Sequence, residues 1–164
     1  MIFKESKDMF KFLQSYYCCN YRYDDNKEIN IMTFGMYLGI TYGKDYSQKN
    51  SIESRKFIDM IKDENHRIIV GLPPLIECKP DCYDCKKKYD NTIQRLHDTK
   101  KMLNLNMKFC KESHAKFYQL GNLMIAGGMN LSDSSWDDFM IVIKSDEDKH
   151  DLNLYFNKQW NKLK

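Results

Sequence analysis

The sequence predicts an α/β fold with one mixed β-sheet flanked by helices. Short apolar runs rich in β-branched and aromatic residues alternate with stretches of helical periodicity. The first strand, helix, strand series is typical of a right-handed crossover between parallel strands. A later pair of runs meets at Gly121-Asn122, which is typical of an antiparallel hairpin. With 164 residues, 42% of them hydrophobic, the chain is expected to form a single domain over residues 1–164.

The first half of the chain predicts the parallel part of the sheet. Residues 4–17 carry apolar side chains at three-to-four spacing and indicate an amphipathic helix. The run INIMTFGMYLGI from Ile29 predicts a buried strand that ends in a bend at one of its glycines. Ser51 can cap a second helix. Residues 67–72 predict the next strand, which the following Pro-Pro pair ends because proline cannot donate to a strand ladder.

The second half predicts a small cysteine-rich insert at residues 78–85, a long helix with a basic outer face, and the antiparallel strands. Ser145 or Asp146 is expected to cap a final amphipathic helix that includes Phe156 and Trp160. Four apolar runs are expected to be strands: residues 107–110, 114–120, 123–129 and 139–143.

Charge and hydropathy restrict the classes of function. The net charge of +3 is too small to indicate nucleic acid binding by itself. Residues 86–116, however, include nine Lys or Arg and only three Asp or Glu. No apolar run reaches the roughly 18 residues that a membrane span requires, and the N-terminal residues lack the pattern of a signal peptide. We therefore expect a soluble, cytoplasmic protein without a membrane segment.

The candidate site lies between residues 113 and 143. His114 and Lys116 are two residues apart in a predicted strand, so their side chains are expected on one face. An imidazole can attack phosphorus directly, and a lysine can hold a phosphate oxygen. Asn130 follows a Gly127-Gly128 turn whose backbone N–H groups are expected to approach the same phosphate. The pattern indicates phosphoryl chemistry.

Three segments, SHAKFY, GGMNLS and SSWDDF, resemble parts of nuclease-like members of the phospholipase D superfamily. The resemblance implies a phospholipase D-like mixed sheet, with His114 as nucleophile or proton donor and Lys116 and Asn130 on the phosphate. Two positions depart from the family pattern. The aspartate expected about four residues after the lysine is absent, and Gly128 stands where a serine is usual, a hydroxyl that Ser132 can supply instead.

The chain has one copy of this motif, whereas the two-step mechanism uses two histidines across one phosphate. The small family members with one motif form homodimers, so the resemblance implies a homodimeric site and no metal cofactor for catalysis. Asp138, or Asp137 as second choice, is expected to orient the catalytic imidazole. The remaining histidines have no lysine two residues later: His66, His97 and His150.

The cysteine pattern predicts a second, structural site. Cys78, Cys82 and Cys85 lie within eight residues, and Cys110 precedes the predicted catalytic strand. Four thiolates are typical of a closed structural zinc site, and His97 could replace Cys110 as the fourth ligand. The alternative is that Cys110 is a small buried apolar residue and the other three are reduced thiols. A redox pair ranks lowest, because no thioredoxin-like pattern surrounds it.

The first interpretation is a metal-independent phosphodiesterase that cuts DNA or RNA through a phosphohistidine. Tyr83 and Tyr89 could stack on bases. The second interpretation is a nucleic-acid-binding or regulatory module whose catalysis is impaired, and the third is a zinc-stabilised interaction protein. The basic residues expected to follow a nucleic acid backbone are Lys86, Lys87, Lys88, Arg95, Lys100, Lys101, Lys108 and Lys111.

Overall fold

A computed structural model describes the chain at residues 1–36, 52–72, 83–111, 113–131 and 138–164. Within the long helix, the side chains of residues 83–86, 88 and 89 are outside the described part. The predicted cap Ser51, the Pro-Pro pair and most of the cysteine-rich insert also lie outside the described residues.

The strands of the described residues form one seven-stranded mixed sheet. They are β1 (Ile2–Phe3), β2 (Ile29–Thr33), β3 (His66–Gly71), β4 (Met107–Cys110), β5 (Phe117–Leu120), β6 (Leu123–Gly127) and β7 (Met140–Val142). Their order across the sheet is β1-β7-β6-β5-β2-β3-β4. Strands β2, β3 and β4 are parallel, whereas β5, β6, β7 and β1 join by antiparallel pairs. The predicted parallel unit and hairpin are therefore confirmed.

Four helices within the described residues flank this sheet: α1 (Ser6–Cys19), α2 (Ile52–Ile61), α3 (Tyr83–Met102) and α4 (Asp146–Lys162). The α/β class, with a mixed sheet and helices in a single domain, is as predicted. Ser145 caps α4, because its Oγ accepts a hydrogen bond from the Asp148 N–H at 3.3 Å. None of the described helices has the length and apolar content that a bilayer span needs.

The helices divide between the two faces of the sheet. Helices α1, α2 and α3 share one large core with the side chains of Ile29 and Ile31 on β2. Met32, the residue after Ile31, points to the other face, where it packs in a smaller cluster with Phe156 of α4. All five residues of β2 are buried, and the strand is paired on both sides. Strand β2 is thus an inner strand, which joins the parallel part of the sheet to the antiparallel part.

Strand β5 begins at Phe117, three residues later than predicted. The last pair that joins β5 to β2 is Met32 with Phe117, and β2 ends one residue further on. Because β2 offers no partner beyond that point, the segment before Phe117 is not a strand. His114 and Lys116 therefore precede β5, and the prediction that strand alternation points them to one face was wrong.

Strand β7 is less buried than predicted. Phe139 lies before the strand and is 56% exposed, while Ile141 is 37% exposed. Ile141 pairs with Ile2, which is also exposed, whereas the preceding residue of β7, Met140, is buried in the large core. The edge of the sheet at β1 and β7 consequently has one buried and one open face.

Two basic side chains hold α4 against the sheet. The Arg67 guanidinium donates to Asn157 Oδ1 at 2.8 Å and lies 5.1 Å from the Phe156 ring centroid. Lys108 donates to backbone carbonyls at the end of α4, at 3.0 Å for Trp160, where a cation offsets the helix dipole. Lys108 was predicted to follow a nucleic acid backbone, but its ammonium is occupied within the protein.

The hydroxyl of Tyr17 gives a pH-dependent contribution to stability. It donates to Glu64 at 2.5 Å, and burial and then this hydrogen bond raise the pKa of Tyr17 to about 12. Because its pKa in the unfolded chain is about 10, this contribution is complete below about pH 10 and is lost as the pH rises towards 12.

In urea unfolding at pH 9 and 11, we expect Tyr17→Phe to lose less of its free energy of unfolding between the two pH values than wild type. Tyr23→Phe, at an 83% exposed position, should match wild type, and equal losses in all three proteins would contradict the assignment.

Candidate functional site

The candidate site residues meet at the edge of the sheet where the parallel strand β2 ends. Residues 33–35 leave this strand end, and two other segments reach them: the segment before β5 and the turn after β6, against which the start of β7 packs. The carboxyl ends of parallel strands are a common place for ligand sites, because loops there converge without pairing. These segments are far apart in the sequence, so the sequence alone does not show that they converge.

His114 and Lys116 come together on the ring of Phe34. The His114 imidazole stacks on this ring, with centroids 4.1 Å apart and an interplanar angle of 15°. The Lys116 ammonium lies 5.8 Å from the centroid of the same ring and donates to the His114 carbonyl at 3.3 Å. His114 is exposed, whereas Phe34 and Lys116 are half-buried. The Phe34 ring thus brings His114 and Lys116 together, which strand alternation was expected to do.

Asn130 contacts the same segment, at Thr33 and Gly35. Its Oδ1 accepts a hydrogen bond from the Gly35 N–H at 2.9 Å and lies 3.4 Å from the Thr33 hydroxyl. The Thr33 hydroxyl in turn donates to the Gly35 carbonyl at 2.6 Å and accepts from the Leu131 N–H at 2.9 Å. Within the described part of the chain, the Asn130 Nδ2 has no hydrogen-bond partner. The oxygen of Asn130 therefore has a structural role, and the amide nitrogen remains as a donor.

Gly127 and Gly128 do not offer their backbone N–H groups to a ligand. The Gly127 N–H donates to the Lys116 carbonyl at 3.1 Å, and the Gly128 N–H donates to the Phe139 carbonyl at 2.9 Å. The predicted phosphate contacts of these two groups are therefore wrong. The chain before β7 approaches this turn closely: a Cβ at Gly127 would collide with the Phe139 carbonyl, and one at Gly128 would lie 2.6 Å from Oδ1 of the Asp138 side chain.

The remaining site predictions stay open. Asp138 is exposed and lies against Gly128, but no hydrogen bond joins it to His114 among the described residues. Its role as the acid that orients the imidazole stays a prediction. Lys111 is exposed just upstream of the site, which suits a contact with substrate. Ser132 and the second-choice Asp137 lie outside the described residues.

Buried residues under the site hold it in shape. The Tyr118 hydroxyl donates to the Met129 carbonyl at 3.3 Å, and burial raises the pKa of Tyr118, so the phenol stays neutral. Gly71 ends β3 beside Phe34, and a Cβ there would lie 2.5 Å from the Ser113 carbonyl. The sequence analysis missed Thr33, Phe34 and Gly71. The signal was the TFG triplet of residues 33–35 at the carboxyl end of a buried parallel strand, where ligand sites are common.

Cys110 and His97, the two proposed fourth zinc ligands, lie on opposite faces of the sheet. Cys110 is buried in the cluster that α4 covers, whereas His97 on α3 packs against Phe109 with ring centroids 4.7 Å apart. Cys110 fits the apolar alternative. Cys78, Cys82 and the side chain of Cys85 are outside the described part of the chain. Among the described residues, no group of three or more potential ligands could hold a metal ion. A zinc site at these cysteines stays a prediction.

Comparisons with known proteins give little help with function. No protein-family model matches the chain, and no curated protein matches it. Among solved structures, the chain is similar to TrmBL2, an archaeal chromatin protein with a novel mode of DNA binding, with a TM-score of 0.49 and 10% identity. The match covers 100% of this chain and 52% of TrmBL2, so the chain spans about half the length of that protein. The site must therefore be interpreted from its own residues.

The two glycines of the turn should respond differently to substitution. Gly127→Ala sets a Cβ against backbone of β7, which cannot rotate away, so we expect a loss of about 1–3 kcal/mol in the free energy of unfolding. Gly128→Ser meets the exposed Asp138 side chain, which can move, and should cost less. Urea unfolding of both variants measures the difference. A Gly128→Ser variant that is as unstable as Gly127→Ala would show that Asp138 is fixed in place.

Proposed function

We propose that the protein is a metal-independent phosphodiesterase of the phospholipase D-like nuclease type, which cuts DNA or RNA through a phosphohistidine at His114. The observation that supports this proposal most is the convergence of His114, Lys116 and Asn130 on residues 33–35. A nucleophile, a cation and an amide donor around one small volume are what phosphoryl transfer needs. These residues are 16 positions apart in sequence, from 114 to 130, and come from different segments of the fold.

The chemistry follows from the groups present. A His114 ring nitrogen attacks phosphorus, a P–N bond forms, and the P–O bond to the leaving strand breaks. A second imidazole protonates the leaving oxygen and then deprotonates the water that breaks the P–N bond. Lys116 offsets charge on a non-bridging oxygen, and the Asn130 Nδ2 donates to the same phosphate.

The second imidazole is that of a second copy of the chain. His66 cannot serve, because it is buried and hydrogen-bonded to the Glu64 carbonyl and the Asn106 N–H, at the opposite end of β3 from the site. His114 is exposed just before β5, so a twofold-related His114 can approach it. A homodimer with one phosphate between two copies of the site meets the requirement.

A nucleic acid backbone fits the charges near this edge better than a lipid does. Lys111 lies just before the site and is exposed, whereas Lys101, also exposed, lies at the end of α3 beside the start of β4, at the other end of the parallel strands. A basic group at Lys111 can contact a phosphate next to the bond that is cut. The described helices offer no interfacial anchor of high apolar content, since α3 and α4 both have predominantly polar sequences.

A second candidate function is a nucleic-acid-binding or regulatory module with impaired catalysis. Two observations favour it. The Gly127 and Gly128 N–H groups are occupied within the protein, which leaves fewer donors for a phosphate. In the described residues no acid is hydrogen-bonded to His114, so its tautomer is not fixed by a carboxylate.

We expect purified protein to cleave plasmid, single-stranded DNA or RNA in the presence of EDTA, and His114→Ala to reduce the rate by about 10³-fold or more. The loss should occur without loss of folding, because the His114 side chain is exposed. His150→Ala, at an exposed position on α4, is the matched control and should retain the wild-type rate. The measurement is the initial cleavage rate on each substrate.

The same experiment separates the two functions. Cleavage that requires a divalent metal, or that survives His114→Ala, would rule out the proposed mechanism. Binding to the same nucleic acids without any cleavage by wild type would select the impaired module. Light scattering of the purified protein should give twice the mass of one chain if the site is shared between two copies.

A further inference from the structure

We infer that Phe34 is the positioning residue of the catalytic histidine: its ring fixes the plane of the His114 imidazole and sets Lys116 beside it. The rings of Phe34 and His114 are stacked, with centroids 4.1 Å apart and an interplanar angle of 15°. The catalytic consequence rests on the proposed phosphodiesterase function. Phe34 is not one of the motif residues, and its role is inferred from its contacts with His114 and Lys116.

Phe34 is held on three sides. Thr33 before it belongs to the buried strand β2, and the Gly35 N–H after it is hydrogen-bonded to Asn130 Oδ1 at 2.9 Å. Gly71 lies against the ring itself, since a Cβ at that position would be 2.8 Å from Phe34 Cδ2. Because backbone on both sides and a neighbouring strand limit its movement, the ring is a rigid support for an otherwise exposed side chain.

Stacking positions an imidazole without occupying either nitrogen. A carboxylate would orient His114 by accepting a hydrogen bond from one ring nitrogen. A stacked ring contacts the face of the imidazole instead, so Nδ1 and Nε2 both remain at the free edge. Neither nitrogen of His114 has a hydrogen-bond partner among the described residues, and Asp138 lies against Gly128. Phe34 thus orients the imidazole through its face, whereas the acid predicted at Asp138 would act through a ring nitrogen.

The same ring determines where the lysine lies relative to the histidine. The Lys116 ammonium is 5.8 Å from the Phe34 centroid, within the range of a cation–π contact. An aliphatic side chain of similar size could fill the space beside Gly71 but would neither stack on an imidazole nor attract an ammonium. Only an aromatic ring therefore holds the His114 imidazole and the Lys116 ammonium side by side for one phosphate.

The test compares Phe34→Leu with Phe34→Tyr, which retains the ring. A stacked ring shifts the His114 ring protons upfield in NMR spectra, and the His114→Ala spectrum identifies these signals. We expect the shift to be lost in Phe34→Leu and retained in Phe34→Tyr. Phe34→Met is a second aliphatic variant, and thermal unfolding shows which variants are folded. Unchanged His114 signals in a folded aliphatic variant would overturn the inference.

Kinetics on the cleaved substrate tests the catalytic consequence. Misplacement of a reacting group by about 1 Å can cost about 100-fold in rate. We expect kcat of the aliphatic variants to fall about 10-fold to 100-fold with a smaller change in KM, and Phe34→Tyr to stay within about twofold of wild type. An aliphatic variant with wild-type kcat would overturn the positioning role. If wild type cleaves no substrate, the proposed function fails, while the NMR comparison still decides whether Phe34 orients His114.

Discussion

The hydrogen bond from the Gly35 N–H to Asn130 Oδ1 is the interaction on which the site depends. It joins residues 95 positions apart at 2.9 Å and fixes the chain where it leaves β2. Phe34 lies between this contact and the buried Thr33, so its ring has little freedom. A backbone N–H at a strand end needs a partner once it is removed from water, and Asn130 supplies it. The asparagine expected to bind substrate therefore also builds the support for the histidine.

The cations of this protein are divided between structure and surface. Arg67 and Lys108 attach α4 to the sheet through hydrogen bonds to Asn157 and to the end of the helix. Lys116 lies on the aromatic ring of the site, while Lys101 and Lys111 are exposed. A count of basic residues in the sequence treats these side chains alike. Their partners show that a part of the positive charge is committed to folding and cannot serve a polyanion.

The elements predicted from sequence are those set by local periodicity. Buried β2, the parallel β3, the hairpin at Gly121 and the cap at Ser145 all follow from side-chain patterns or turn chemistry within a few residues. The start of β5 could not be predicted, because it depends on where the distant β2 ends. The same limit applies to Cys110, since its face of the sheet is set by the register with β3. For the site, sequence identified the residues of the motif but not the Phe34 ring that brings two of them together.

The order of the strands has a consequence for the timing of folding. Strands β2, β3 and β4 can pair as soon as the chain has reached Cys110, but β2 gains its second neighbour only with β5. Contacts between residues far apart in sequence close large loops and form slowly. A nascent chain that ends at β4 holds the basic helix and the Phe34 segment, yet neither His114 nor Asn130. Completion of the sheet and assembly of the site are thus one late event, and a partly made chain carries no preformed site.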